Sequence, residues 1–238
     1  MHVHRNEALV RSRLRIGAVF LLVSMAVLLG GFIASTRQAD VGEQFAISVS
    51  TLLIGLVLWW RNQAYLARWG PRNQYDSQLA GALRGLDARY HLFAFPAARL
   101  PDYVLVGPIG VLVLVPRAVG GNVVCDGERW SHDVDRPALL RLAVLFSGRP
   151  TLGNPGADAE RAVRDLRAFL SERLGSEVAA KLEIEPLVVL INSQVKLMTH
   201  GCAVAALYLR TLRAHVRKLP RSLPQEAIGE IVRALEAA

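Results

Sequence analysis

The chain has 238 residues, 52% of them hydrophobic, and carries 28 Lys and Arg against 20 Asp and Glu, a formal net charge of +8. That length allows one or two domains, and the apolar content is high for a soluble protein and concentrated at the N-terminus. The two cysteines, Cys125 and Cys202, lack C-x-x-C spacing, which argues against a zinc ribbon.

Residues 1–15 form a basic tail. Residues 16–35 follow as a near-continuous apolar run without charge, long enough to cross a bilayer, and residues 45–60 form a second, shorter run that spans with local thinning. The first run is too long for the apolar core of a signal peptide, and a second follows closely, so residues 16–60 read as a two-helix transmembrane hairpin. Arg5, Arg11, Arg13 and Arg15 precede it against Glu7 alone, and Arg61, Arg68 and Arg72 follow it. Between the runs Arg37 stands against Asp40 and Glu43. The positive-inside rule then predicts a multi-pass protein of the cell membrane with both termini in the cytoplasm. Trp59 and Trp60 suit the membrane interface, and Gly30, Gly31, Ser48 and Ser50 are the expected points of close helix approach.

Residues 61–72 read as a juxtamembrane linker, and residues 73–238 as an α/β domain. Tyr75, Leu79, Leu83 and Leu86 predict an amphipathic helix over 73–87, with Asp76 as an acid of its first turn. A strand is expected at 90–96. A hairpin is expected over 121–130, turning at Asp126-Gly127. Asp126, Glu128, His132, Asp133 and Asp135 read as turn and solvated loop positions rather than metal ligands. A short element near 135–146 precedes a helix at 157–174, whose apolar face is Ala162, Leu166, Phe169 and Leu170 and which Gly175 closes. Strands are expected at 185–192 and 202–206, and helices at 209–219 and 224–238. Alternating strands and helices predict a three-layer α/β core with a mixed sheet. With the domain in the cytoplasm, both cysteines are expected as free core thiols.

Residues 100–117, LPDYVLVGPIGVLVLVPR, organise this domain. Two apolar β-branched runs, 103–106 and 111–115, flank a Gly107-Pro108-Ile109-Gly110 turn, and they read as buried strands. Asp102 opens the first and Arg117 closes the second. This frame resembles the nuclease-related domain, a relative of the PD-(D/E)xK nucleases, in which an Asp opens one strand and the next ends in Glu-x-Lys. The likeness extends to Gly120-Gly121, Trp130 and Asn154-Pro155. It implies a restriction-endonuclease-like core and a two-carboxylate site for a divalent metal that activates water. Val115 stands at the Glu position and Arg117 at the Lys position. Valine cannot ligate a metal, and arginine stays protonated, so Asp102 and Arg117 are vestigial candidates for a catalytic pair. Pro116 between them is expected at a strand end or sheet edge.

Arg210, Arg213 and Arg217 share a helical face near Lys218 and Arg221 and form a candidate surface for nucleic acid or anionic lipid headgroups. No phosphate-binding glycine loop and no nucleophile elbow occur. Two function classes follow. The first is a membrane-anchored binding or scaffolding module without catalytic activity, a metal or a cofactor. The second is a membrane-bound nuclease that cuts DNA or RNA with Mg2+.

Overall fold

The computed structural model describes residues 1–37, 40–71, 74–133 and 152–238, which form two compact units. One holds residues 10–37, 40–71 and 74; the other holds residues 1–9, 75–133 and 152–238.

The first unit is a helical hairpin of α1 (Glu7–Arg37) and α2 (Val41–Trp69), both long and apolar enough to cross a membrane. Asn6 caps α1 by accepting from the Leu9 amide, and Asp40 caps α2 by accepting from the Gly42 amide. Each helix buries small or polar residues seven apart: Gly17, Ser24 and Gly31 on α1, and Gly55 and Asn62 on α2. A seven-residue repeat keeps one seam facing the partner helix. The fit is tight: a Cβ on Gly31 would lie 2.3 Å from the Thr51 hydroxyl, and one on Gly55 would lie 2.6 Å from Leu28. The Ser24 hydroxyl donates to the Gly55 carbonyl at 2.9 Å. Of the residues expected at this seam, Gly31 is there. A Cβ on Gly30 would meet nothing within 4 Å, and Ser48 and Ser50 are exposed. Large apolar side chains such as Leu22, Phe32, Phe45 and Leu52 point outward and exposed.

The second unit is α/β with a mixed six-stranded sheet. Its strands are β1 (His2–Arg5), β2 (His91–Ala94), β3 (Tyr103–Gly107), β4 (Gly110–Arg117), β7 (Ile184–Leu190) and β9 (Ala205–Tyr208), in that spatial order. β5 (Gly121–Asp126), β6 (Arg129–Asp133) and β8 (Val195–His200) form a second sheet, ordered β6-β5-β8. Five α-helices accompany them among the described residues: α3 (Asp76–Ala82), α4 (Pro155–Leu174), α5 (Ser176–Lys181), α6 (Leu212–Lys218) and α7 (Gln225–Glu236).

β3 and β4 pair antiparallel around the Pro108-Ile109 loop, and β4 then pairs parallel with β7. Both are buried on both faces, which is why they read as continuous apolar runs. Val104, Val106, Val111 and Val113 face Leu166 and Leu170 of α4 and Ile228 and Ile231 of α7 in one cluster. The alternate residues Tyr103, Leu105, Leu112 and Leu114 are equally buried toward the other face. There the Tyr103 hydroxyl accepts from the Tyr75 amide at 2.7 Å, placing the start of α3 on that side.

Residues 2–5, expected in a basic tail, are a strand on the sheet edge, paired parallel with β2. α3 is short, because the chain leaves the helix at Leu83 and turns through Gly85 at φ +89°. The β5–β6 loop is Gly127-Glu128, one residue later than expected, since Asp126 pairs with Arg129. Pro116 is the last residue but one of β4, so the strand-end expectation holds, although β4 itself is an interior strand of the sheet. The Val111 amide donates toward β7, so by alternation the nitrogen of Pro116 points to the β3 side, where pairing has already ended at Tyr103–Leu114. The two cysteines are not free thiols: Cys125 and Cys202 form a disulfide with a Cα–Cα distance of 5.7 Å. Parallel pairing sets His200 beside Asp126, and the turn at Gly201, with φ +63°, brings Cys202 back over β5. The element expected at 135–146 lies outside the described residues.

Candidate functional site

Asp102 and Arg117 meet at one end of the sheet, because β3 begins where β4 ends. Tyr103 pairs with Leu114, so the antiparallel register carries Asp102 beside Val115. The chain reaches Asp102 through a bend in which Phe95 takes φ +55°, the one non-glycine residue with positive φ among those described. A bulky residue in that region stores on the order of 1–3 kcal/mol of strain. Its amide donates to the Asp102 carbonyl at 2.7 Å, and its ring lies 5.2 Å from that of Tyr103.

All three Arg117 guanidinium nitrogens are engaged within the protein. One donates to the Leu152 carbonyl at 3.1 Å and one to the Pro116 carbonyl at 3.2 Å. The third pairs with the Asp158 carboxylate in the first turn of α4. Burial lowers the Arg117 pKa from its ordinary value, and the nearby Asp158 and Asp102 carboxylates oppose that shift. The residue remains a cation, held by Asp158. Tyr103 is the other perturbed group: burial pushes its phenol well up, and the charges of Asp102 and Asp76 add to the shift. Asp76 in turn pairs with Arg5 of β1 at 2.8 Å. Asp102 is therefore common to both groups, with Asp158 acting on Arg117 and Asp76 on Tyr103. Among the described residues no three His, Cys, Asp or Glu side chains are arranged to hold a metal ion.

The sequence brought Asp102 and Arg117 to one sheet end but missed Asp158 and Leu152. The signal for Asp158 was available: an acid in the turn opened by Asn154, whose side chain accepts from the Ala157 amide at 3.1 Å.

The second candidate surface lies on α6 and the segments before it. Arg213 and Arg217, one turn apart, donate to the Arg84 and Gly85 carbonyls, each at 2.8 Å. They thereby hold the turn that ends α3. Arg210 lies over the Tyr208 ring, with 5.0 Å between the guanidinium carbon and the centroid. Tyr90 feels the charges of Arg89, Arg217 and Arg221 together, and Asp87 is the acid beside them. The result is a cluster of arginines on the rim of the sheet, largely exposed, in which Arg213 and Arg217 each commit one nitrogen to the backbone.

Comparison with protein-family models, with curated proteins and with solved structures returned no match.

Proposed function

We propose that this protein is a membrane-anchored relative of the nuclease-related domain that binds a phosphate-bearing ligand without cutting it. The observation that carries the non-catalytic reading is Arg117. It occupies the strand-end position of a catalytic Lys, yet its guanidinium is spent on Asp158 and two backbone carbonyls. Val115, at the position of the second metal-binding carboxylate, is buried and apolar. The exposed Arg210, Arg213 and Arg217 are the binding surface, since guanidinium groups suit phosphate oxygens. A second reading, a Mg2+-dependent nuclease, rests on Asp102 at the mouth of β3.

The test uses the full chain in nanodiscs of neutral lipid, because β1 precedes the hairpin and a fragment starting near residue 70 would lack it. Labelled DNA and RNA are expected to bind with an affinity that falls steeply with salt, as phosphate contacts release counterions. Arg213→Ala is expected to lower both the affinity and the salt slope, by about one contact. No cutting with Mg2+ or Mn2+ is expected. Metal-dependent cleavage that vanishes in Asp102→Ala would install the nuclease instead.

Membrane anchoring draws on the exposed apolar faces of α1 and α2 and on the sheet itself. β1 precedes the hairpin and β2 follows it, and paired strands lie on one side of a bilayer, so the two helices cross together or not at all. The flanking arginines favour the cytoplasmic side, whereas a persistent disulfide favours an oxidising compartment. Labelling of Cys125 and Cys202 in cells by a thiol reagent, after acid quenching and unfolding, would place the domain on the cytoplasmic side. A pair that stays blocked until reductant is added would move the domain to the other side.

A further inference from the structure

The N-terminal strand carries a cluster that the phosphate-binding reading does not use. His2 and His4 are two apart on β1, so their imidazoles share one face of the sheet, and His91 of β2 pairs in register with His2 on that face. The His2 and His91 rings stack with centroids 5.1 Å apart, and those of His4 and His91 lie 5.3 Å apart. His4 Nε2 faces His91 Nδ1 at 3.1 Å, and His4 Nδ1 faces a Glu236 carboxylate oxygen at 3.1 Å. On its remaining side His4 stacks on Phe93 at 4.5 Å. Arg5 points to the opposite face, where it pairs with Asp76. Directly after the strand, Asn6 caps α1.

We propose that His2, His4, His91 and Glu236 form a proton-operated latch that holds β1 on the edge of the sheet at neutral pH and releases it on acidification. With neutral imidazoles the chain of hydrogen bonds closes: His91 Nδ1–H donates to His4 Nε2, and His4 Nδ1–H donates to Glu236. One proton on the His4–His91 pair is tolerated, because either ring can then serve as the cationic donor. A second proton places two N–H groups head-on across 3.1 Å and leaves one carboxylate against several imidazolium charges. The groups facing His91 are His4, His2, Glu236 and the Met1 amino group, and Glu236 alone among them favours its charged form. An open cleft of about 600 Å³, lined by His4, Glu7 and Glu236 among others, gives protons access.

The direction of the pH effect follows. Burial first, then the His4 and His2 charges, lower the His91 pKa below its ordinary value. The unlatched strand therefore binds more protons than the latched one. Latching is fully present above the ordinary imidazole range near 6.5 and weakens as pH falls below it. β1 has a single ladder partner, β2, so its release detaches an edge strand and leaves the central pairs intact.

The test is hydrogen exchange of the full chain in nanodiscs at pH 7.5 and pH 5.0, corrected for the intrinsic exchange rate. Protection of residues 2–5 is expected to fall on the order of tenfold or more, while protection of β4 holds. His91→Gln, which keeps a hydrogen-bonding side chain without a titrating charge, is expected to flatten most of that dependence. The His2→Gln/His4→Gln/His91→Gln variant is expected to abolish it. The latch is overturned by a parent whose β1 protection ignores pH, by an unchanged fall in the triple variant, or by β4 losing protection in parallel. It is also overturned if a chelator removes β1 protection at pH 7.5, since the imidazoles would then be clasping a metal ion.

Discussion

Val113→Asp is expected to leave the α/β domain unfolded while the helical hairpin persists. Val113 is fully buried, with 0% of its surface exposed, and its Cα partners are Val104 on one side and Pro186 on the other. Its side chain belongs to the cluster that joins the sheet to α4 and α7. Neither β3 nor β7 offers a cation at that register, so the new carboxyl must be buried alone or protonated. An unpaired buried charge costs at least several kcal/mol, which is comparable with the entire stability of an ordinary domain, about 5–15 kcal/mol. Limited proteolysis of the full chain in detergent is the direct readout, because far-UV dichroism would still report α1 and α2. Rapid digestion of residues 75–238 beside a resistant hairpin is the expected pattern. Val3→Asp serves as the comparison. Val3 is also a β-branched strand residue, but it is 48% exposed on an edge strand, and its substitution is expected to be tolerated. Equal resistance of the parent and Val113→Asp would mean that β4 does not form the core.

The contrast between Val113 and Val3 also separates what the sequence revealed from what it concealed. β3 and β4 were legible because each is a contiguous apolar run, and the Gly-Pro-x-Gly turn between them fixes the pairing locally. Gly110 takes φ +103°, and a Cβ on Gly107 would meet the Tyr90 ring at 2.4 Å, so both glycines are demanded where they stand. α4 was equally legible, since Asn154 and Gly175 mark both of its ends. β1 was not. Its sequence, HVHR, has one apolar residue, and its partner β2 lies beyond the whole hairpin. An edge strand with polar side chains leaves little hydrophobic pattern, and its arginine reads as a topogenic charge. β8 was missed for a related reason. VKLMTH buries Val195 but exposes most of its remaining side chains, and its parallel partner β5 is far away in sequence. The disulfide followed from neither composition nor spacing. It depends on β5 and β8 being paired, which only the folded chain decides.

The candidate site shows the same limit. Strand alternation and the tight turn were enough to bring Asp102 and Arg117 to one end of the sheet, but they could not show what Arg117 does there. Read from the strand alone, it is a cation at a vestigial catalytic position, available to a phosphate. In the folded chain Asp158, 41 residues further along the sequence, reaches the guanidinium first.

Arg117→Ala is accordingly expected to weaken the domain rather than its ligand binding. Hydrogen bonds to charged groups contribute about 1.5–3 kcal/mol each when buried. The Asp158 side chain is 42% exposed, so water recovers much of its share. The Leu152 and Pro116 carbonyls lose their donors in a more enclosed setting. A net loss of about 2–3 kcal/mol is expected, seen as a lower denaturant midpoint for the domain in the full chain. Arg117→Lys restores the charge but not the planar fork, since one ammonium cannot serve three separated acceptors. It should recover part of the loss. Nucleic-acid affinity, measured where each variant remains folded, is expected to stay within about twofold of the parent for Arg117→Ala and to fall for Arg213→Ala, whose guanidinium is exposed. An Arg117→Ala protein with unchanged stability and lost affinity would reverse the assignment: Asp158 would then be a displaceable counter-ion, and Arg117 the phosphate-binding residue at the heart of the site.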